Sequence, residues 1–182
     1  MARVPYLEKS DLPESERDVI PFPLSIFKAI ANSPKGARAF NVLGGYILSG
    51  SKLNARLREL AILQVGWLAR APYEWVHHVA LGPRFGVSDA DIQALIDDTA
   101  GKPTSLDSLT RMVLQAAREI TNDGAVSEAI FKSLQSELGN EQLVDLIIAV
   151  AFYCGVVRIL ATLHIDVEPD YLSYLERWPI PA

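Results

Sequence analysis

Two carboxylates and two imidazoles lie close together in one stretch of this chain. Glu59 sits in Arg58-Glu59-Leu60-Ala61-Ile62-Leu63, one of few charges in a largely apolar segment. Glu74, His77 and His78 follow in Pro72-Tyr73-Glu74-Trp75-Val76-His77-His78. On a helix, Glu74 and His78 share a face because they are four apart, and Tyr73 and His77 share an adjacent one. Glu74 also falls in a first helical turn, where the backbone dipole favours a carboxylate. Helices that fold back on each other at Pro72 would gather Glu59, Glu74, both histidines and the Tyr73 phenol into one pocket. Such groups perturb each other's pKa and can exchange protons near neutral pH.

The elements that must position these residues read as helices. Residues 1–23 hold Pro5, Pro13, Pro21 and Pro23 and read as an extended arm that packs on a surface, its own or a neighbour's. Helices are expected over 24–32, 35–49, 55–70 and 73–85, with Asn54 capping the third and Pro72 opening the fourth. A Ser88/Asp91 capping box starts a short helix to 97. An amphipathic helix follows over 106–121 and stops at Asn122-Asp123-Gly124. Ser127 caps 128–138, Gly139 ends it, and Asn140 opens a long apolar helix to about residue 164. No alternating strand pattern occurs, so residues 24–182 are expected to form one all-α domain of about eight helices.

Composition narrows the function. The 182 residues carry 22 acidic and 17 basic side chains and a net charge of −5, which argues against a nucleic-acid partner. One cysteine excludes an intramolecular disulfide, a Cys-x-x-Cys redox pair and a thiolate zinc cage. The longest apolar run, 146–157, is too short to cross a bilayer, and the first 18 residues hold no secretory signal. These features lead us to expect a cytoplasmic protein without a membrane partner. No bound metal is expected either, because neighbouring histidines on a helix point about 100° apart.

The segment 53–86 resembles the carboxymuconolactone decarboxylase family, which includes the alkylhydroperoxidase-like proteins. The peroxidase branch of that family has the pattern Glu-x11-Cys-x2-Cys-x3-His. Aligned without a gap, Glu59 takes the glutamate position and His78 the histidine position. Ala71 and Glu74 take the two cysteine positions. The resemblance implies an alkylhydroperoxidase-like helical bundle that assembles as a homo-oligomer, a trimer or a hexamer. It also implies proton-handling residues without the thiols of a dithiol peroxidase. Cys154 lies in the apolar run 149–157 and reads as a core thiol.

The resulting expectation is a cofactor-independent, decarboxylase-like enzyme acting on a small carboxylated lactone or keto acid. Glu59, Glu74 and His78 are its candidate catalytic residues, and Tyr73, His77, Trp67 and Arg158 its candidate substrate-binding residues. Arg158, a cation in an apolar helix, could pair with Asp145 or Glu59 or hold a substrate carboxylate. Two other readings stay open: a peroxidase or antioxidant protein, and a non-catalytic binding protein or scaffold on the same fold. Each candidate also has a plainer role. Glu74 could be a first-turn carboxylate, His78 a core histidine, and Tyr73 and Trp67 packing residues.

Overall fold

Helix α3 (Ala55–Leu68) is buried without a gap from Leu57 through Gly66 and is therefore enclosed on all sides. In the computed structural model, which describes residues 2–181, it is the central element. Around it stand α1 (Ser25–Ile30), α2 (Pro34–Gly45), α4 (Pro72–Leu81) and α5 (Asp89–Thr99), followed by α6 (Ser108–Asp123), α7 (Glu128–Leu163) and α8 (Leu172–Arg177). Helices α4, α5, α6 and α7 all pack directly on α3. One apolar cluster fills the space between α3, α6 and α7, with Ile62, Val65, Val113, Leu146 and Val150 at its centre. A second, around Leu60, Leu63, Trp75, Val76 and Leu95, joins α3 to α4 and α5. No strand occurs among the described residues.

The helix starts follow the capping chemistry. Asn54 accepts from the backbone N–H groups of Arg56 and Leu57 at 3.0 and 3.2 Å. Ser88 and Asp91 form the reciprocal capping box of α5. Ser127 behaves differently. It stands at the cap position of α7, but its side chain makes no capping bond. Its backbone N–H and hydroxyl both donate instead to Glu119 of α6, which draws the hydroxyl away from the helix. The stop expected after residue 138 is present inside α7. Gly139 adopts φ 71°, ψ 174°, and divides the element into limbs 128–138 and 140–163.

The arm packs on its own chain. It forms two 3-10 turns, Lys9–Asp11 and Glu14–Val19, and buries Leu12, Val19 and Ile20 against Ala31 and Ala37. Leu7 N–H donates to Lys28 O, and the Asn32 amide donates to Pro5 O. A π-helical turn, Tyr46–Gly50, continues α2. It is tied to α7 through Asp145, which accepts from the Tyr46 hydroxyl at 2.6 Å and the Ser51 hydroxyl at 2.9 Å. Asp145 is therefore occupied by α2 and the following loop and is not a partner of Arg158.

By length and composition alone α7 could span a membrane, with a mean hydropathy of 2.3 in its most apolar window, 44% of which is buried. In this fold its inner side packs on α3 and α6. The rest leaves Val144 exposed, like Val42 and Leu43 of α2 and Tyr46 of the π-helical turn. The Gly139 backbone lies where L residues are strained, at a cost of about 1–3 kcal/mol. Gly139→Ala should therefore lower the unfolding free energy in urea by about that amount, with an unchanged m-value.

Candidate functional site

The turn between α3 and α4 sets the site. Arg70 takes a left-handed conformation (φ 50°), and Ala71 N–H closes on Gly66 O at 3.0 Å. The chain then reverses, and α4 runs back along α3. Gly66 faces α4: a Cβ built there would make ordinary van der Waals contact with the Glu74 Cγ at 3.6 Å. One α3 face, through Glu59, Ile62 and Gly66, thus meets one α4 face, through Glu74 and His78.

His78 lies between two carboxylates. Its Nδ1 is 2.5 Å from Glu59 Oε1, and its Nε2 is 2.8 Å from Glu74 Oε1. The first contact is an aligned hydrogen bond; the second is an ion pair off the hydrogen-bond axis. All three are enclosed, with 0% of Glu59, 4% of Glu74 and 5% of His78 exposed. The Tyr153 ring of α7 meets the His78 imidazole edge-on at 5.0 Å. Burial opposes a charge on His78, but Glu59 and then Glu74 outweigh it and raise the imidazole to about 10. His78 is therefore an imidazolium at neutral pH, a proton donor already charged. Burial, with the same two carboxylates, holds the Tyr153 phenol well above its ordinary value.

Tyr73 and His77 do not join this group, and the single pocket expected from the sequence divides into two sites. The His77 ring is stacked between Tyr73 and Tyr171, with centroids 4.1 and 4.0 Å away. Its Nδ1 lies 2.7 Å from Tyr73 O, and its Nε2 lies 2.9 Å from Glu168 Oε2. Glu168 also accepts from Ser25 N–H at 2.6 Å and from the Tyr73 hydroxyl at 3.1 Å, and that hydroxyl accepts from Ile26 N–H. Burial opposes the Glu168 charge, yet the His77 contact and the Ser25 N–H bring its carboxyl down to about 2. This second cluster clamps α1 and the C-terminal segment to α4.

The other candidates lie elsewhere. Arg158 is exposed, and its guanidinium bonds Cys154 O on its own helix. It reaches neither Asp145 nor Glu59, because its position on α7 faces outward. Trp67 packs against Trp75 at 5.1 Å in the α3–α4–α5 cluster. Ala71 is a buried residue at the start of α4. Cys154 contacts the Thr121 hydroxyl of α6 at 3.5 Å. Sequence reasoning did not single out Tyr153, Glu168 or Arg58. Arg58 carried a signal, a charge beside Glu59 in an apolar helix; Glu168 and Tyr153 carried none that locates them near α4.

The chain is thus an all-helical bundle with a buried Glu–His pair on adjacent helices, and its fold is that of alkylhydroperoxidase-like proteins. The structure is similar to the alkylhydroperoxidase AhpD core of an uncharacterized peroxidase-related protein from Ralstonia eutropha JMP134. The TM-score is 0.78 at 20% identity, over 93% of this chain and 94% of that one. It is also similar to a putative antioxidant defence protein AhpD from Agrobacterium tumefaciens, with TM-score 0.67 at 20% identity over 76% and 94%. The debrominase Bmp8, in a cysteine-to-alanine variant complexed with 2,3,4-tribromopyrrole, gives TM-score 0.78 at 18% identity over 97% of both chains. No curated protein matches by sequence. Residues 34–119, which hold the whole Glu59–Glu74–His78 set, match the Carboxymuconolactone decarboxylase family model.

Two pH dependences follow from these contacts. The stability that His78 contributes is complete below its unfolded value of 6.5 and is lost as pH rises through about 10. Thermal melts should fall over that interval, and in Glu74→Gln the fall should end at lower pH. Glu168 has the opposite sign. Its contribution is complete above 4.5 and is lost as pH drops through about 2. Glu168→Gln should remove that acid-side component.

Proposed function

We propose that the chain is a cofactor-independent enzyme that decarboxylates, or moves a proton on, a small carboxylated lactone or keto acid. The observation that supports this reading is the enclosed imidazolium of His78 between Glu59 and Glu74, held together by 2.5 and 2.8 Å contacts. The family match over residues 34–119 supports the same class of chemistry. A thiol mechanism receives no such support, since Ala71 and Glu74 occupy the motif's cysteine positions and Cys154 faces α6.

The reaction would run in two steps. The bond between the substrate's α-carbon and its carboxylate breaks, and carbon dioxide departs. The electron pair stays on the carbon and spreads into the neighbouring carbonyl as an enolate. The imidazolium of His78 stabilises that developing charge and then donates its proton to the carbon. Solvent restores the proton, so each turnover consumes one. With two carboxylates bracketing it, His78 is suited to donate in this step and not to act as the initial base.

Purified protein is expected to release carbon dioxide from at least one member of a panel of carboxylated lactones and β-keto acids. His78→Gln should lower kcat by about 10²- to 10⁴-fold, the usual worth of a positioned proton donor. Cys154→Ala should leave the rate unchanged. Silence across the whole panel overturns the reading, and peroxide turnover that disappears in Cys154→Ala would replace it with a thiol mechanism.

We further propose that the chain acts as a homo-oligomer, a trimer or hexamer. The exposed Val42 and Leu43 of α2, Tyr46 of the π-helical turn and Val144 of α7 supply an apolar face that a second copy would cover. Light scattering should give a multiple of the 20.0 kDa subunit mass, and Val42→Asp should reduce it. A monomeric wild-type protein overturns this assembly.

A further inference from the structure

Arg58 is the interior's unpaired cation. Only 3% of its surface is exposed, and both Nε and Nη2 are shut off from water without a hydrogen-bond partner. No carboxylate among the described residues forms an ion pair with it. One face of the guanidinium lies over the Phe85 ring, 4.6 Å from its centroid. That contact satisfies the face but leaves the hydrogen-bonding edge unused. Burying a guanidinium with unfilled donors is costly, and buried polar groups in folded proteins are nearly always paired.

Two other arginines of this chain show what that edge does when filled. Arg38 places Nε and Nη2 on the two oxygens of Asp18, at 2.9 and 2.8 Å. Arg56, two residues before Arg58 on the same helix, grips Asp91 with the same two nitrogens. In Arg58 the identical fork is buried and has no partner. Glu59 follows it in the chain and holds His78, and Glu59 favours its charge against burial. Glu59 Oε2 is likewise buried without a partner.

We propose that the Nε–Nη2 edge of Arg58 receives the carboxylate of a small planar acid, seated between Phe85 and Tyr153 beside the Glu59–His78–Glu74 set. The choice of a small acid rests on the proton-transfer reading of that set. The fork geometry itself does not, since it matches any carboxylate. Arg58 takes the place that the sequence alone suggested for Arg158, whose guanidinium is outside on α7.

The test is calorimetric titration of the full chain with benzoate and with its neutral match, benzamide. Wild-type protein should bind benzoate at least about tenfold more tightly than benzamide, the scale of a charge-assisted fork. Arg58→Gln should abolish that preference and leave benzamide binding unchanged. Arg58→Lys keeps the charge without the fork and should weaken benzoate by about tenfold. If Arg58→Gln does not fold, Arg58→Lys decides the question. Equal affinity for the two probes in wild type, or benzoate binding undiminished in Arg58→Lys, overturns the proposal. So does an Arg58→Gln protein whose assembly mass changes while its benzoate affinity does not, because the fork would then belong to a neighbouring subunit's acid. Arg58-dependent binding without carbon dioxide release would sink only the decarboxylase reading. Carbon dioxide release with Arg58-independent KM would sink only this one.

Discussion

The structure turns on one ionic contact in a dry place. Glu59 and Glu74 project from different helices into an interior where an unpaired carboxylate is not tolerated. The imidazolium of His78 lies 2.5 Å from one and 2.8 Å from the other, which makes the burial of both admissible. Removing His78 would leave two uncompensated carboxylates between α3 and α4, an error that buried ion pairs punish more than they reward. The α3–α4 packing and the protonation of His78 are thus parts of one equilibrium. The tight turn at Arg70 reverses the chain so that the two helices can make that contact.

The neighbouring histidine shows how a helix distributes chemistry. Successive side chains diverge by about 100°, so His77 and His78 cannot serve the same neighbours. His78 faces α3 and α7. His77 turns to the other side and is held between two tyrosine rings and Glu168. The outcome is one helix with a proton site on one side and a structural clamp on the other. The clamp has a positioning effect: by fixing α1 and the C-terminal segment to α4, it restrains the helix that carries Glu74 and His78.

Much of this was legible in the sequence, and the rest was hidden for physical reasons. The i, i+4 spacing of Glu74 and His78 is local, and the apolar environment of Glu59 marks a buried carboxylate. Their meeting needed only a turn at Pro72, and the caps at Asn54 and Ser88 fixed the helix starts. Glu168 was unreadable as the partner of His77 because it is 91 positions further along, in a segment legible only as a helix break. Tyr73 followed His77 into that cluster for the same reason. Arg158 was misplaced because an apolar helix gives little sign of which face looks outward. Ser127 failed as a cap because Glu119, on another helix, competes for its hydroxyl.

The substitution of Glu74 for a thiol position has a chemical consequence beyond the loss of a nucleophile. A histidine paired with one glutamate can take a proton from a neighbouring thiol, because its own charge is only partly stabilised. Adding a second carboxylate at 2.8 Å changes that balance. The imidazole rises to about 10 despite burial and holds its proton across the neutral range. A group in that state is a poor base towards any substrate and a ready donor towards a carbanion or enolate. With Glu74 at a cysteine position of the motif the sequence resembles, the contacts at His78 favour the protonated ring. Arg58 adds a second cation to the same interior, with its Nε and Nη2 buried and without a hydrogen-bond partner.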